Sequence, residues 1–264
     1  MKEPPICLLL LAHPDDEFFI LPAIQHINSA GAKVLILFLT DGSAYGVEPE
    51  NRIEESRNVL AQWGVHPQSI ASIGIKLKVA DLTLHRNFEA SYAAVIEAIK
   101  GYSIELIITH SWEGGHPDHD AAHLIGVRLA RDLRRSRSIY EFSAYNLWRR
   151  WWPFIRCMSL INEEHDEESC HLARRTSLFT AVRWTKSVLG YRSQWRTFLQ
   201  LMPFCLPQLV WWRRVPLRLV PESRDYNLPP HPGVTISEKR FNVSFTEFQR
   251  ESARFLDSGL ITQE

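Results

Sequence analysis

The stretch Ile6-Cys7-Leu8-Leu9-Leu10-Leu11-Ala12-His13-Pro14-Asp15-Asp16-Glu17 decides how this chain is read. An apolar run this short falls well below the roughly 18 residues of a membrane span. Its continuity, without polar alternation, is the pattern of a strand buried on both faces. The run ends directly in a histidine and three acids. Charged groups placed there lie at the carboxyl end of a strand, where open α/β sheets hold their ligands. Glu3, Pro4 and Pro5 interrupt the start of the run, so a strand fits better than a secretion signal.

Working outward, the same design recurs. Residues 104–109 form another apolar run, followed by a turn with Gly114-Gly115 and then His116-Pro117-Asp118-His119-Asp120. Between the two motifs the patterning predicts a helix over 17–29, a strand over 33–39 closed by Thr40-Asp41-Gly42, a helix over 51–63 stopped by Gly64, a third strand over 69–75 and a helix over 89–100. A further helix is expected over 118–134, with Ile125, Leu129 and Leu133 along one face. This alternation implies an α/β fold: a Rossmann-like, mostly parallel sheet with helices on both faces.

The second half changes character. Seven of the nine tryptophans lie at or beyond Trp148, and residues 169–221 contain nine Lys or Arg but no Asp or Glu. Pro203, Pro207, Pro216 and Pro221 break its apolar segment. We expect one domain over 1–264, with an α/β core over 1–146 and a less regular extension over 147–264 covering the substrate side. The length suits this organisation, and 45% hydrophobic residues suit a packed globular chain. A formal net charge of zero gives no global argument for nucleic acid binding. Cys7, Cys157, Cys170 and Cys205 lack metal-type spacing and read as idle thiols of a cytoplasmic protein.

The motifs carry specific chemistry. His13 and Asp16 stand three apart at a strand-to-helix transition, so both can reach one point. Pro14 fixes its own φ and keeps His13 extended. Asp15 and Asp16, being adjacent, point in different directions; one can ligate a metal while the other faces the water it activates. If the two motif strands are neighbours, His119 becomes a third ligand. His13, Asp16 and His119 then form a His₂-carboxylate site with an open position, the pattern of a catalytic zinc. Iron or cobalt would also suit such donors. For one Asp or one His alone, a helix cap would be explanation enough.

The pair AHPDDE and HPDHDAAH resembles the PIG-L/LmbE-like zinc-dependent de-N-acetylases. Arg52-Ile53-Glu54-Glu55, Leu60-Ala61-Gln62-Trp63-Gly64 and Tyr191-Arg192-Ser193-Gln194 are similar to other elements of that family, and its Asp-Gly after the third strand reads Asp81-Leu82 here. The resemblance implies one Zn²⁺ per chain on His13, Asp16 and His119, Asp15 as general base, and His116 stabilising the oxyanion, oriented and kept charged by Asp118. It implies removal of acetyl groups from a small-molecule or lipid-linked N-acetylglucosamine conjugate.

Several residues admit two readings. Arg52 is a sugar contact or an ion pair with Glu55; Asp41 a site wall or a turn; Trp112 a sugar platform or core. Tyr191 touches substrate or caps a helix, and His231 belongs to a closing loop or a structural turn. His123 fits an outer position behind the site, while His85 and His110 read as ordinary. The Trp/Arg-rich half is either a surface that touches anionic lipid or a lid or dimer contact with buried tryptophans. Two rival functions remain: a phosphoesterase, which would need a second metal, and a non-catalytic sugar- or membrane-binding protein.

Overall fold

The computed structural model describes residues 4–43, 46–148, 155–161, 175–215 and 217–258. Cys170 and Pro216, named above, lie outside them, as do two of the tryptophans beyond Trp148. The fold is built on β1 (Ile6–Leu11), all six of whose residues are buried. It pairs in parallel with β2 (Lys33–Phe38) on one side and β4 (Ile104–His110) on the other. Beyond them lie β3 (Ile70–Ser72) and β5 (Ile139–Phe142), also parallel. The order β3-β2-β1-β4-β5 reverses direction between β1 and β4, which makes their carboxyl ends the switch point of the sheet.

Alternation along the strands divides the core. Cys7, Leu9 and Leu11 pack into one layer, and Leu8 and Leu10 into the other. The helices are α1 (Leu21–Ser29), α2 (Pro49–Gln62), α3 (Ile73–Leu77), α4 (Phe88–Ala98) and α5 (Pro117–Asp132). The third strand is shorter than the sequence suggests. The Ser72 hydroxyl accepts from Ile75 N at 3.2 Å and starts α3. Gly74 lies so close to the Thr40 backbone that a Cβ there would come within 2.2 Å of it. The expected helix over 17–29 opens as a 3₁₀ turn at Asp16–Ile20, which keeps Asp16 at the strand end.

The second half begins with two short strands, β6 (Tyr145–Asn146) and β7 (Arg156–Cys157), paired antiparallel. It continues through α6 (Leu178–Ser187), α7 (Trp195–Pro207), β8 (Leu217–Leu219), α8 (Ile236–Phe241) and α9 (Phe245–Asp257). Helix α9 buries Phe248 and Phe255 on the core; the Phe88 and Phe255 rings stack at 4.6 Å. Strand β8 joins the sheet antiparallel to β5, with Glu141 opposite Arg218. The Glu141 carboxylate accepts from Arg218 Nε at 2.7 Å and from both Arg224 terminal nitrogens.

Burial alone would push this carboxyl upward, but Arg224 and Arg218 hold it down at about 2, against an ordinary 4.5. Its stabilising effect is therefore complete above about 4.5 and fades as pH falls towards 2. Glu141→Gln removes the buried carboxylate charge that Arg218 and Arg224 both grip. It should cost about 3–5 kcal/mol, read as a lowered denaturant midpoint at neutral pH. A change under about 1 kcal/mol would refute the clamp.

Candidate active site

The first motif leaves β1 and turns sharply. Asp15 has φ 110°, a left-handed conformation that a non-glycine residue avoids, costing about 1–3 kcal/mol. Four hydrogen bonds hold it there. Its N–H donates to Glu17 Oε2 at 2.9 Å. Arg52 Nη2 donates to Asp15 Oδ2 at 3.0 Å and to Pro14 O at 2.9 Å, while Arg52 Nη1 donates to Gly42 O. Glu17 is anchored in turn by the Tyr191 hydroxyl at 3.1 Å. Burial raises the Asp15 carboxyl to about 6, with Arg52 pulling downward and Asp16 upward. A carboxylate poised near neutrality suits a general base.

Asp16 points the other way. Its Oδ1 lies 3.1 Å from His119 Nε2, and its Oδ2 lies 3.3 Å from His13 Nδ1 and 3.1 Å from His110 Nε2. Burial opposes its charge, yet His119, His110 and His13 hold it well below the usual carboxylate range. On the other edge of His13, Nε2 sits 2.9 Å from Asp81 Oδ1 and 3.2 Å from Asp118 Oδ2. Asp81 and Asp16 outweigh burial and raise His13 well above an ordinary imidazole.

The second motif is delivered by β4 and the N-terminus of α5. His116 caps that helix, its Nδ1 accepting from Asp118 N at 3.2 Å. One turn on, His119 turns inward; its Nδ1 is buried with no hydrogen-bond partner. Its ring lies 5.3 Å from that of His13. The Asp118 carboxylate differs from expectation. It accepts from Leu82 N at 2.6 Å and Leu84 N at 3.0 Å, and stands 3.8 Å from His116 Nδ1. It pins the 81–84 loop and His13, and touches His116 through the backbone. Burial and the nearby His13 charge hold His116 well below the ordinary imidazole value.

Among the described residues, three donor groups could hold a metal ion: His13, His116 and His119; His13, Asp81, His116 and Asp118; and Asp16, His110 and His119. Imidazole and carboxylate donors of this kind suit zinc and related divalent ions. Of these donors His13, Asp16, Asp81, His116 and His119 line a cavity of about 960 Å³, together with Asp15 and Arg52. Its walls come from the second half: Tyr145, Thr197, Phe198 and Leu201, and from α8 Lys239, Arg240 and Phe241. Glu113 sets the Tyr145 wall by accepting from Ala144 N at 2.9 Å and Tyr145 N at 3.1 Å. Gly115 passes beneath that wall; a Cβ there would meet Tyr145 O at 2.3 Å.

The other expected residues fall elsewhere. Arg52 does line the cavity, but it holds Asp15 rather than Glu55, whose carboxylate accepts from Ser193 instead. Asp41 makes a turn, its Oδ1 accepting from Ser43 N at 2.9 Å. Trp112 is core, packed against Tyr226, Phe245 and Phe248, because the loop before α5 runs inward there. Tyr191 is buried behind Glu17, stacked on Phe198. His231 is buried, with Nδ1 beside Pro232 O and its ring 6.0 Å from that of Trp148. None of these four lines the cavity.

Two residues at the centre were given no role at the site from the sequence. Asp81 follows a loop rather than a regular strand. His110, which ends β4, stacks on His119 at 3.9 Å. Its position at a strand end beside the second motif was the available signal. Behind it, His123 Nδ1 lies 2.8 Å from His110 O.

The fold resembles that of the conserved protein TT1542 from Thermus thermophilus, with a TM-score of 0.54 and 16% identity over 84% of this chain and 100% of that one. It also resembles A40926 pseudoaglycone deacetylase Dbv21, at 0.52 and 17% over 75% and 85%. N,N'-diacetylchitobiose deacetylase from Pyrococcus horikoshii aligns at 0.42 and 18%, covering 49% of this chain and 51% of that one, so the chain spans about half its length. A search of curated proteins gave no sequence match. Residues 8–130 match the family model described as PIG-L, GlcNAc-PI de-N-acetylase. That match spans both histidine–aspartate motifs and a little under half of the chain.

Proposed function

We propose that this chain hydrolyses the N-acetyl group of an N-acetylglucosamine-containing conjugate, giving acetate and a free amino sugar. One observation carries the reading. Asp15 is held apart from the His13, Asp16 and His119 donors by Arg52, yet opens on the same cavity. A base beside, but outside, a set of metal donors is what hydrolysis of an unactivated amide needs. The family description, GlcNAc-PI de-N-acetylase, and the deacetylase name of a structural neighbour support the same reaction class.

His13, Asp16 and His119 would hold a divalent cation, zinc by donor chemistry. When bound, it supplies Lewis acidity to water and to the acetamide carbonyl. Asp15 takes the proton from the water as its oxygen bonds to the carbonyl carbon. His116 accepts the Asp118 N–H at Nδ1, which leaves a neutral ring with its proton on Nε2. That N–H donates to the carbonyl oxygen as negative charge develops there. Asp15 then returns its proton to the departing amine as the C–N bond breaks.

A second reading has one observation in its favour. The groups His13–Asp81–His116–Asp118 and Asp16–His110–His119 share no residue, so two metals could be imagined, as in a phosphoesterase. Backbone contacts argue against it: Asp118 is already occupied by Leu82 and Leu84 N–H, and His110 Nε2 by Ala12 N–H at 3.2 Å. Metal-loaded protein should release acetate from N-acetylglucosaminyl conjugates and no phosphate from phosphoesters. Phosphate release with two metals per chain would favour the rival.

A further inference from the structure

Helix α7 presents two different faces. Thr197, Phe198 and Leu201 line the cavity. Trp195 and Leu199 face outward, 57% and 68% exposed. The chain then continues into a helical turn, Gln208–Trp212, that ends in two exposed indoles, Trp211 and Trp212. Helix α6 packs beside this turn, tied by Thr176 N to Arg213 O and by Arg175 to Trp211 O. It adds Leu178 and Phe179, 62% and 80% exposed. Among the described residues, ten of the sixteen large exposed hydrophobic ones fall between 178 and 212. Single exposed apolar side chains are ordinary, whereas a cluster of this size marks a contact surface.

We propose that this face of α6, α7 and the 208–212 turn docks on an anionic bilayer surface. Charge selects the occupant. Lys186, Arg192, Arg196 and Arg214 are exposed along the same stretch of chain, and residues 169–221 contain no acid. Tryptophan with arginine is the composition that settles at the level of anionic headgroups. A second copy fits poorly, because a symmetric contact would set the basic face against itself. Among the described residues, no helix is long and apolar enough to cross a membrane, so the contact is peripheral. The shared helix α7 would then bring the cavity wall to the lipid surface.

The inference is independent of the hydrolase reading, because its test measures binding alone. Full-length protein is sedimented with vesicles of phosphatidylcholine, with and without phosphatidylglycerol. Binding is expected on the anionic vesicles only, weakened by added salt. W211S/W212S should lower it at least about tenfold. R192E/R196E/R214E should abolish the preference for anionic lipid, with circular dichroism unchanged in both variants. Four results would overturn the proposal. They are no binding by the wild-type chain, equal binding to neutral vesicles, wild-type affinity in W211S/W212S, and a dimer that W211S/W212S dissociates. The first would leave the face to another occupant, such as the acidic stretch 163–168 of this same chain.

Discussion

Asp15→Asn protein should keep its fold and its metal but lose about 10³-fold in kcat on an N-acetylglucosaminyl substrate. General acid–base catalysis by one positioned group contributes roughly 10²–10⁴-fold, and Asp15 is given both proton transfers. The amide is isosteric with the carboxylate, so the contacts of Arg52 Nη2 to Pro14 O and Nη1 to Gly42 O still hold the turn. KM should move little, since the base acts on the water and the leaving amine rather than on substrate affinity. A kcat within tenfold of wild type, at equal metal content, would remove Asp15 from the mechanism.

His119→Ala should abolish both metal binding and turnover. His119 Nε2 meets Asp16 Oδ1, and Asp16 is also in contact with His13, so the three donors form one connected set. Losing even an outer partner of a metal ligand costs about 10–100-fold in affinity. Losing a proposed ligand should cost more than about 100-fold. Metal analysis after dialysis should give one equivalent per chain for the wild type and background for the variant. Because His119 is buried in α5, thermal unfolding must accompany the measurement. His13→Ala serves as the second variant. Unchanged metal content in both, with folding intact, would transfer the site to other donors.

The sheet was legible because its central strands announce themselves. Residues 6–11 and 104–110 are nearly continuous apolar runs, and parallel strands buried on both faces require that pattern. The third strand was misjudged in length, since nothing in 69–75 reveals that Gly74 must approach Thr40. Proximity of the two motifs followed from the pairing of β1 with β4. Asp81 was harder to see: its contact with His13 spans 68 positions and depends on the loop that Asp118 pins. Trp112 and Tyr191 stayed open for a different reason. An aromatic beside a motif is equally apt for stacking on a sugar or for filling the core, and only the direction of the chain separates the two. The exposed indoles of the second half were undecidable in the same way, since composition does not report which face of α7 meets the cavity.

The most direct measurement is the yield of acetate and free amine when metal-reconstituted protein is incubated with N-acetylglucosaminyl conjugates. The account expects the two products in equal amounts, with neither formed after chelation and both restored by one equivalent of zinc. Acetate release that survives complete metal removal, or no release from any N-acetylglucosaminyl conjugate by fully loaded protein, would contradict it.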